Sequence, residues 1–375
     1  MNQSGSDSPA SGGQTAAQLT VRLGALGANY REVMRRASPA AVAPVVKADA
    51  YRTGMVPVAQ TLASEGADSF FVARLDEGIA LRTLLPRARI FVFDGVAPGT
   101  APALIANRLT PVLNSSDEIA EWSRTAISRK SSLDAAVQID TGMNRSGLSQ
   151  EELSGLVARP REALSGINLV LIMSHLACAD DPQHAMNAAQ LARFRAALAR
   201  LPPAPASLAA SAGIELGRDF LFDMVRPGMA LYGGKPIPSR ANPYRTVVVL
   251  SSRVLQLRKL ARGETVGYAA SHAVAKPMIV AIVGIGYADG VIRSGSGKAS
   301  AAIGGVRVPV VGRISMDLLA LDVSALSGES VGRGTEVELL GETVTVDDAA
   351  NAAGTIGHEV LTAISSRVRR IYVGD

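Results

Sequence analysis

Eight short apolar runs alternate with helix-like segments before residue 243, and this rhythm constrains the fold more than any other feature. The runs are rich in Val, Ile, Leu and Phe and nearly continuous, as strands buried on both faces of a parallel sheet should be. They span residues 42–50, 69–75, 89–95, 109–115, 134–142, 168–176, 205–211 and 224–233. Helices are predicted between them, for example over 117–129, after a Ser115-Ser116-Asp117 capping signal, and over 185–200. Eight such units predict an α/β fold, a (β/α)8 TIM-type barrel rather than an open sheet.

The pattern changes near Asn242-Pro243. Strand-like runs over 246–257, 278–284, 306–311 and 335–340 are separated by Gly-rich turns, and helical patterning returns only over 346–353 and 359–367. This predicts a mostly antiparallel β domain. The expected organisation is a disordered tail over 1–18, a barrel over 19–243 and a β domain over 244–375. A first strand at 19–23, followed by a helix through Arg36, could pair with the second domain.

Composition excludes several classes of protein. The 375 residues include 38 basic and 33 acidic side chains, a net charge of +5, and only 4% are aromatic, too few to stack bases along a basic groove, so nucleic-acid binding is not expected. No apolar run reaches the ~18 residues of a membrane span, and the N-terminus lacks signal-peptide features, so we expect a cytoplasmic protein. The single cysteine, Cys178, excludes an intramolecular disulfide, and four scattered histidines show no metal-binding pattern.

Catalytic groups of such barrels lie at the carboxyl ends of the strands. Lys47 falls within the first run, where a buried ammonium is costly unless it is paired or neutralised, so it is a candidate Schiff-base nucleophile. A lysine that reaches solvent from the strand end is the structural alternative. Arg145 follows the fifth run and could hold a carboxylate with two hydrogen bonds. His175 ends the sixth run and could flank a planar cofactor, although a hydrogen-bonded core histidine is commoner.

The last two barrel runs end in small residues. In this fold the loops after strands 7 and 8 often bind phosphate through backbone N–H groups, which suits Ser211, Gly213 and Gly228. A nucleophilic lysine together with a phosphate site suggests pyridoxal phosphate. Arg226 refines this prediction, because an arginine facing the pyridine nitrogen keeps its proton and leaves the ring a weaker electron sink. Such a site suits an enzyme that removes and returns one Cα proton.

The β domain contributes further candidates in Gly-flanked turns. Tyr268 follows Gly267, Tyr287 follows Gly286, and the pair Met316-Asp317 comes shortly after another glycine. Tyrosines that cap the rim of a β-sheet are the structural alternative, and the residues alone do not decide between the two.

Six segments of the sequence carry a resemblance to the alanine racemases, in matching order and spacing. They are Val45-Val46-Lys47-Ala48-Asp49-Ala50-Tyr51, Asp140-Thr141-Gly142-Met143-Asn144-Arg145-Ser146-Gly147, Arg226-Pro227-Gly228-Met229-Ala230-Leu231-Tyr232-Gly233, Gly286-Tyr287-Ala288-Asp289-Gly290, Met316-Asp317 and Arg367-Val368-Arg369-Arg370-Ile371-Tyr372. The resemblance covers nearly the whole chain after the tail and is far more specific than any single motif. It implies a pyridoxal phosphate-dependent enzyme that racemises alanine as a homodimer.

The resemblance also implies roles for the candidate residues. Lys47 would hold the cofactor and act as base on one face of the substrate, and Tyr268 from the partner subunit would act on the other, because racemisation through a planar carbanion needs bases on opposite faces. Cofactor contacts would come from Tyr51, Arg145, His175, Ser211, Arg226, Gly228, Met229 and His358, and substrate contacts from Arg145, Tyr287, Met316 and Asp317. No metal is implied.

Several positions depart from the family's usual pattern. Gln138 stands where many members have a carbamylated lysine, so a neutral amide or an anion would have to orient Arg145. Ala210 replaces an asparagine before the phosphate serine, His358 a tyrosine near the C-terminus, and Leu318 a glutamine. Arg52-Thr53-Gly54 replaces Gly-His-Gly. We expect racemisation to be retained, with altered cofactor affinity or a more open pocket.

Other activities remain as alternatives. A racemase of broader specificity, or a degenerate, non-catalytic pyridoxal phosphate-binding homologue, fits the same motifs. A decarboxylase of the same barrel type is disfavoured, because those enzymes resemble each other in placing an acidic group at the pyridine nitrogen, where Arg226 is expected here.

Overall fold

The computed structural model describes residues 17–326 and 330–374. Contacts divide the described chain into two compact units. A barrel unit comprises 21–248, 357–362 and 372–374, and a β unit comprises 17–20, 249–326, 330–356 and 363–371. The sequence placed the boundary at 243/244, whereas contacts change at 248/249, and the segment containing His358 clusters with the barrel unit.

Eight parallel strands form the barrel. They are β2 (Ala41–Val42), β3 (Ser69–Val72), β4 (Arg89–Val92), β5 (Thr110–Leu113), β6 (Leu133–Gln138), β7 (Ile167–Met173), β8 (Ala206–Ser207) and β9 (Met224–Val225). Strands β3 to β8 pair in chain order, and β2 pairs with β9. Isolated parallel bridges Val45–Phe71 and Ala210–Arg226 join the remaining neighbours, so the sheet closes on itself. The predicted (β/α)8 barrel is confirmed.

Helices connect the barrel strands. They are α1 (Leu23–Ala37), α2 (Lys47–Tyr51), α3 (Met55–Ser64), α4 (Leu75–Leu84), α5 (Ala101–Ala106), α6 (Ser116–Ser128), α7 (Gln150–Ala158), α8 (Pro160–Ala163), α9 (Ala185–Leu198) and α10 (Ser211–Ile214). The capping signal before α6 is used as predicted, since the Ser115 hydroxyl accepts a hydrogen bond from the Glu118 N–H. Buried aromatic side chains pack the interior, with Phe71 stacked on Phe91 at 4.5 Å.

The first apolar run is not a strand throughout, which corrects the prediction for 42–50. Strand β2 ends at Val42, and Lys47 begins the short helical segment α2 instead of lying inside a strand. The side chain therefore stands just past the strand, at the position where barrel enzymes place catalytic groups.

An eight-stranded sheet dominates the β unit. Its strands are β1 (Gln18–Arg22), β10 (Val248–Leu260), β13 (Met278–Val283), β14 (Ser300–Ile303), β15 (Val306–Val311), β16 (Leu319–Asp322), β17 (Glu336–Leu340) and β18 (Arg369–Val373). They are arranged in the order β13-β16-β15-β14-β17-β10-β1-β18, and β10 also pairs with β13. A small hairpin joins β11 (Thr265–Val266) to β12 (His272–Ala273). The paired strands whose registers are described in this sheet run antiparallel, as predicted.

Differences from the predicted elements are local. Strands β11, β12, β14, β16 and β18 are not among the runs named from the sequence. Helices α11 (Val346–Ala353) and α12 (Gly357–Ala363) lie between β17 and β18, and α12 ends four residues before the predicted 367. Gln18, assigned to the tail, already belongs to β1. The rest of the predicted tail, apart from Ala17, lies outside the described residues.

Candidate active site

Lys47 opens a turn of unusual backbone conformation. Five consecutive residues without a glycine, Ala48 to Arg52, have φ between +52° and +64°. A left-handed conformation costs such residues about 1–2 kcal/mol each. Successive backbone bonds hold the turn, among them Ala50 N–H to the Val46 oxygen at 3.0 Å and Arg52 N–H to the Ala48 oxygen at 2.8 Å. Backbone strain of this kind is concentrated at functional sites.

The surroundings of the Lys47 amine lower its pKa. Its side chain is half-buried, and Nζ lies 5.8 Å from the centre of the Phe93 ring. Loss of hydration lowers the pKa of Lys47, and the positive charge of Arg145 lowers it further, against the opposing charges of Glu77 and Asp94. A neutral amine is the form that acts as nucleophile or base.

Tyr51, at the end of the same turn, is buried in the barrel unit. Its ring lies 4.5 Å from the ring of Tyr232 and 5.8 Å from that of His358. Burial raises the pKa of Tyr51, so the hydroxyl stays protonated and can donate a hydrogen bond. The main chain at Gly228 approaches it closely, because a Cβ there would stand 2.2 Å from Oη.

The turns after β8 and β9 meet at one serine. The Ser211 hydroxyl accepts hydrogen bonds from the N–H groups of Gly228, at 3.0 Å, and Ala230, at 3.1 Å. Met229, between these two donors, is buried. The Ser211 hydroxyl and the Tyr51 hydroxyl thus both lie against Gly228, and two hydroxyl donors beside a residue without a side chain suit a phosphate.

Arg226 carries a deeply buried positive charge. Its residue is 2% exposed, and its partners are neutral oxygens. One terminal nitrogen donates to the Ser207 hydroxyl, and the other to the main-chain oxygen of Ser174 at 2.6 Å. Burial lowers the pKa of Arg226 to about 9, so it remains protonated at neutral pH. Because the buried Arg226 charge has only neutral partners, it favours a ligand atom that accepts a hydrogen bond and carries no proton.

The pKa values of the two histidines of the site are both lowered. Burial, followed by the charges of Arg226, Arg145 and Lys47, lowers the pKa of His175 to about 3. Loss of hydration around the ring and then the charge of Lys47 lower the pKa of His358. His175 is therefore suited to packing against a ring and unsuited to donating a proton from a charged form.

Arg145 lies on an exposed loop that neighbouring side chains hold in place. The Gln138 amide donates to the main-chain oxygen of Ser146 at 3.0 Å, and the Ser146 hydroxyl donates to Asn114 Oδ1 at 2.8 Å. Asp140 Oδ1 accepts from the N–H groups at the start of the same loop. Gln138 thus acts on the backbone beside Arg145.

The candidates of the β unit lie on two segments. Tyr268 is 64% exposed and follows Gly267, where φ is +81°. Tyr287 and Met316 come together, because the Tyr287 N–H donates to the Ser315 oxygen at 3.0 Å and the next N–H donates to the Met316 oxygen. A Cβ at Gly286 would stand 2.4 Å from that oxygen, so the close approach requires glycine.

Asp317 has a structural partner in this unit. Its carboxylate pairs with Arg367 at 2.7 Å, and the same guanidinium pairs with the buried Asp289 at 2.7 Å. This pairing links the Met316 segment to the turn that carries Tyr287.

Three contributors to the site were missed by sequence reasoning: Glu77, Asn114 and Ser207. Glu77 could have been predicted from the sequence, because it stands in the first turn of the helix after the second apolar run. Acidic side chains at that position accept hydrogen bonds from backbone N–H groups. Asn114 and Ser207 lie at strand ends, but nothing in their spacing revealed their partners.

Within residues 17–326 and 330–374, no group of His, Cys, Asp and Glu side chains is arranged to hold a metal ion. In the same part of the chain, no helix is long and apolar enough to cross a membrane.

A barrel with a strained lysine turn facing a phosphate-type donor set, joined to a mostly antiparallel β unit, defines a class of two-domain barrel enzymes. Family models narrow the class: "Alanine racemase, N-terminal domain" matches residues 21–236, and "Alanine racemase, C-terminal domain" matches 247–372. The chain belongs to the alanine racemase family.

Relatives and solved structures agree with this assignment. The chain is 47% identical to an alanine racemase of Methylobacterium nodulans, over 95% of this chain and 96% of that protein. It is 46% identical to a catabolic alanine racemase of Agrobacterium fabrum, over 96% and 93%. A crystal structure of alanine racemase from Bartonella henselae, described as having covalently bound pyridoxal phosphate, superposes with a TM-score of 0.92 at 36% identity, covering 96% of this chain and all of that one.

Proposed function

We propose that this protein is a pyridoxal phosphate-dependent alanine racemase, with Lys47 and Tyr268 as the two bases. The observation that carries the proposal is the strained turn that begins at Lys47 and holds a half-buried amine of lowered pKa. The names of the relatives supply the substrate, alanine, and the description of the Bartonella structure supplies the cofactor.

The residues of the barrel unit fit this cofactor. Arg226 is buried and protonated among neutral oxygens, which suits an unprotonated pyridine nitrogen. A Cβ at Gly228 would fill the space in front of the Tyr51 hydroxyl. We therefore assign the covalent contact to Lys47, the phosphate to Tyr51, Ser211, Gly228, Met229 and His358, the ring to His175 and Arg226, and the phenolic oxygen to Arg145.

In the proposed mechanism each residue has one task. Bound pyridoxal phosphate supplies an electron sink that makes the Cα–H of an attached amino acid more acidic. Lys47, whose pKa burial and the charge of Arg145 lower, takes or returns the proton on one face of Cα. Tyr268 does the same on the opposite face. Arg226 limits electron withdrawal, because it keeps its own proton and does not protonate the ring.

Substrate contacts complete the proposal. Arg145 and the N–H of Met316 would bind the alanine carboxylate, Asp317 would be a further substrate contact, and Tyr287 would line the entrance. We further propose that two chains form a homodimer in which the partner subunit's Tyr268 completes each site. A cytoplasmic location and a role in supplying D-alanine, a peptidoglycan precursor, belong to the same proposal.

The proposal is tested by incubating the purified protein with pyridoxal phosphate and L-alanine in deuterium oxide. We expect racemisation with deuterium entering Cα, both abolished in Lys47→Ala and greatly slowed in Tyr268→Phe. Tyr244→Phe is the control for loss of a tyrosine hydroxyl, because that hydroxyl contacts Glu215 and has no role in the proposed site, and it should retain proton exchange. Cofactor binding without exchange on any amino acid would contradict the proposal. Faster turnover of larger side chains would instead identify a broader racemase.

A further inference from the structure

Glu77 uses one carboxylate to join two segments of the barrel unit. It lies in the first turn of α4, and its Oε2 accepts hydrogen bonds from the N–H groups of Ala73, at 2.8 Å, and Arg74, at 3.1 Å. Its Oε1 accepts the N–H of Ala48 at 2.6 Å. Ala48 follows Lys47 directly, whereas Ala73 and Arg74 follow strand β3, so the carboxylate spans the ends of neighbouring barrel strands.

Glu77 accepts a hydrogen bond at the start of the Lys47 turn, where the turn itself offers no acceptor. The first N–H groups of a helical segment have no acceptor inside it. Ala48 is the first of the five left-handed residues, and the later N–H groups of Ala50 and Arg52 bond back to Val46 and Ala48. Glu77 therefore supplies the acceptor that the turn itself cannot give to Ala48.

We propose that Glu77 is a positioning residue for Lys47, which fixes the left-handed turn so that the amine meets the cofactor in one orientation. The inference rests on the proposed function, in which Lys47 holds that cofactor. Ala48 is exposed, so water can accept its N–H when the Glu77 carboxylate is removed. Loss of Glu77 should therefore change the placement of the turn more than the stability of the fold.

Glu77 also acts on the Lys47 amine through its charge. Burial and then Arg145 lower the pKa of Lys47, whereas Glu77 and Asp94 raise it. His175 and His358 also interact with the amine, and the pKa of each is lowered. Removing the Glu77 charge should lower the pKa of Lys47 further. The pH dependence of pyridoxal phosphate binding should therefore shift to lower pH in Glu77→Gln.

A matched control exists on another helix. Glu152 stands in the first turn of α7 and also spans two segments, since it accepts the N–H groups of Ser149 and Ser116, each at 2.9 Å. It does not contact the Lys47 turn. Glu77→Gln and Glu152→Gln therefore remove the same kind of carboxylate from equivalent helix positions.

The experiment measures hydrogen–deuterium exchange of residues 47–54 in the cofactor-free protein, and then pyridoxal phosphate affinity by absorbance titration. For Glu77→Gln we expect exchange and the dissociation constant each to rise roughly tenfold or more, and for Glu152→Gln both to stay within about twofold of wild type. Equal effects of the two substitutions, or faster exchange with unchanged affinity, would overturn the positioning role.

The outcome is separable from the proposed function. If the wild-type protein does not bind pyridoxal phosphate, the proposed function fails, and unchanged exchange in Glu77→Gln would overturn the positioning role independently. If Glu77→Gln does not fold, Glu77→Asp decides by the same measurements. Aspartate keeps the charge but is one methylene shorter, so it should lose the Ala48 contact and the affinity with it.

Discussion

The guanidinium of Arg226 donates to the hydroxyl of Ser207, and that hydroxyl donates in turn to the main-chain oxygen of Met224 at 2.6 Å. Both side chains are buried, and Ser207 is fully so. Because the serine proton is used by Met224, the oxygen lone pair is directed to Arg226. One hydroxyl thus orients the group that we assign to the cofactor's pyridine nitrogen.

Replacement of Ser207 by alanine should therefore destabilise the protein and disturb Arg226. A buried donor left without its acceptor costs about 1–3 kcal/mol, and more when it is charged. We expect urea unfolding to show a loss of that size, together with weaker pyridoxal phosphate binding. Ser154→Ala, on an exposed position of α7, is the control and should change stability by less than about 0.5 kcal/mol. Unchanged stability in Ser207→Ala would contradict the assignment.

A methyl group at Gly228 should collide with Tyr51. The added Cβ would lie 2.2 Å from the Tyr51 oxygen and 3.0 Å from the ring carbon that bears it. Gly228→Ala should therefore lose stability by about 1–3 kcal/mol, as other overpacked sites do, and bind pyridoxal phosphate more weakly. Thermal and urea unfolding measure the first effect and absorbance titration the second.

The collision has a specific suppressor. Tyr51→Phe removes the oxygen, so the double variant should recover part of the stability that Gly228→Ala loses. Gly155→Ala, inside α7 with no atom within 4 Å of the added Cβ, should instead be neutral or stabilising. No recovery in the double variant would mean that the close approach is not what limits this site.

Much of the barrel was readable from sequence because both faces of its strands are buried. Each of the eight predicted runs overlaps a strand, since continuous apolar runs have few other uses in a chain of this composition. The strand predicted for the first run was wrong at its end, where Lys47 begins a left-handed turn. Local propensity does not predict such a turn, because alanine and tyrosine rarely adopt that conformation. Tertiary contacts such as that of Glu77 with Ala48 stabilise it.

Motifs located the candidate residues, but their partners depend on the fold. Ser211, Arg226 and Gly228 were predictable at the ends of the last two strands, yet the bond from Gly228 to Ser211 requires knowing how the turns meet. Strand β14 was not predicted because Ser300–Ile303 is short and rich in alanine. Roles for Tyr268 and Met316 remain predictions.

The loop that carries Arg145 gives a prediction about substrate binding. Gln138 is 7% exposed, and its amide holds the Ser146 oxygen at 3.0 Å. Gln138→Ala removes this bond without touching Arg145, so the arginine should sample more orientations. We expect the KM for alanine to rise about tenfold or more with a smaller change in kcat. Gln150→Ala, at the exposed start of α7, is the control, and a fall in kcat at constant KM would contradict this interpretation.

His175 should make stability depend on pH. Its pKa is about 3 in the folded protein and about 6.5 when unfolded, so between these values the unfolded chain binds the extra proton. Stability contributed by the neutral ring is therefore fully present above pH 6.5 and lost as the pH falls toward 3, by up to about 1.4 kcal/mol per pH unit. Urea unfolding at pH 7 and pH 5 measures this loss. In His175→Gln the change in the free energy of unfolding between pH 7 and pH 5 should be smaller than in wild type. His184→Gln, on the exposed cap of α9, is the control and should show the wild-type change. The same change in all three proteins would contradict a neutral, buried His175.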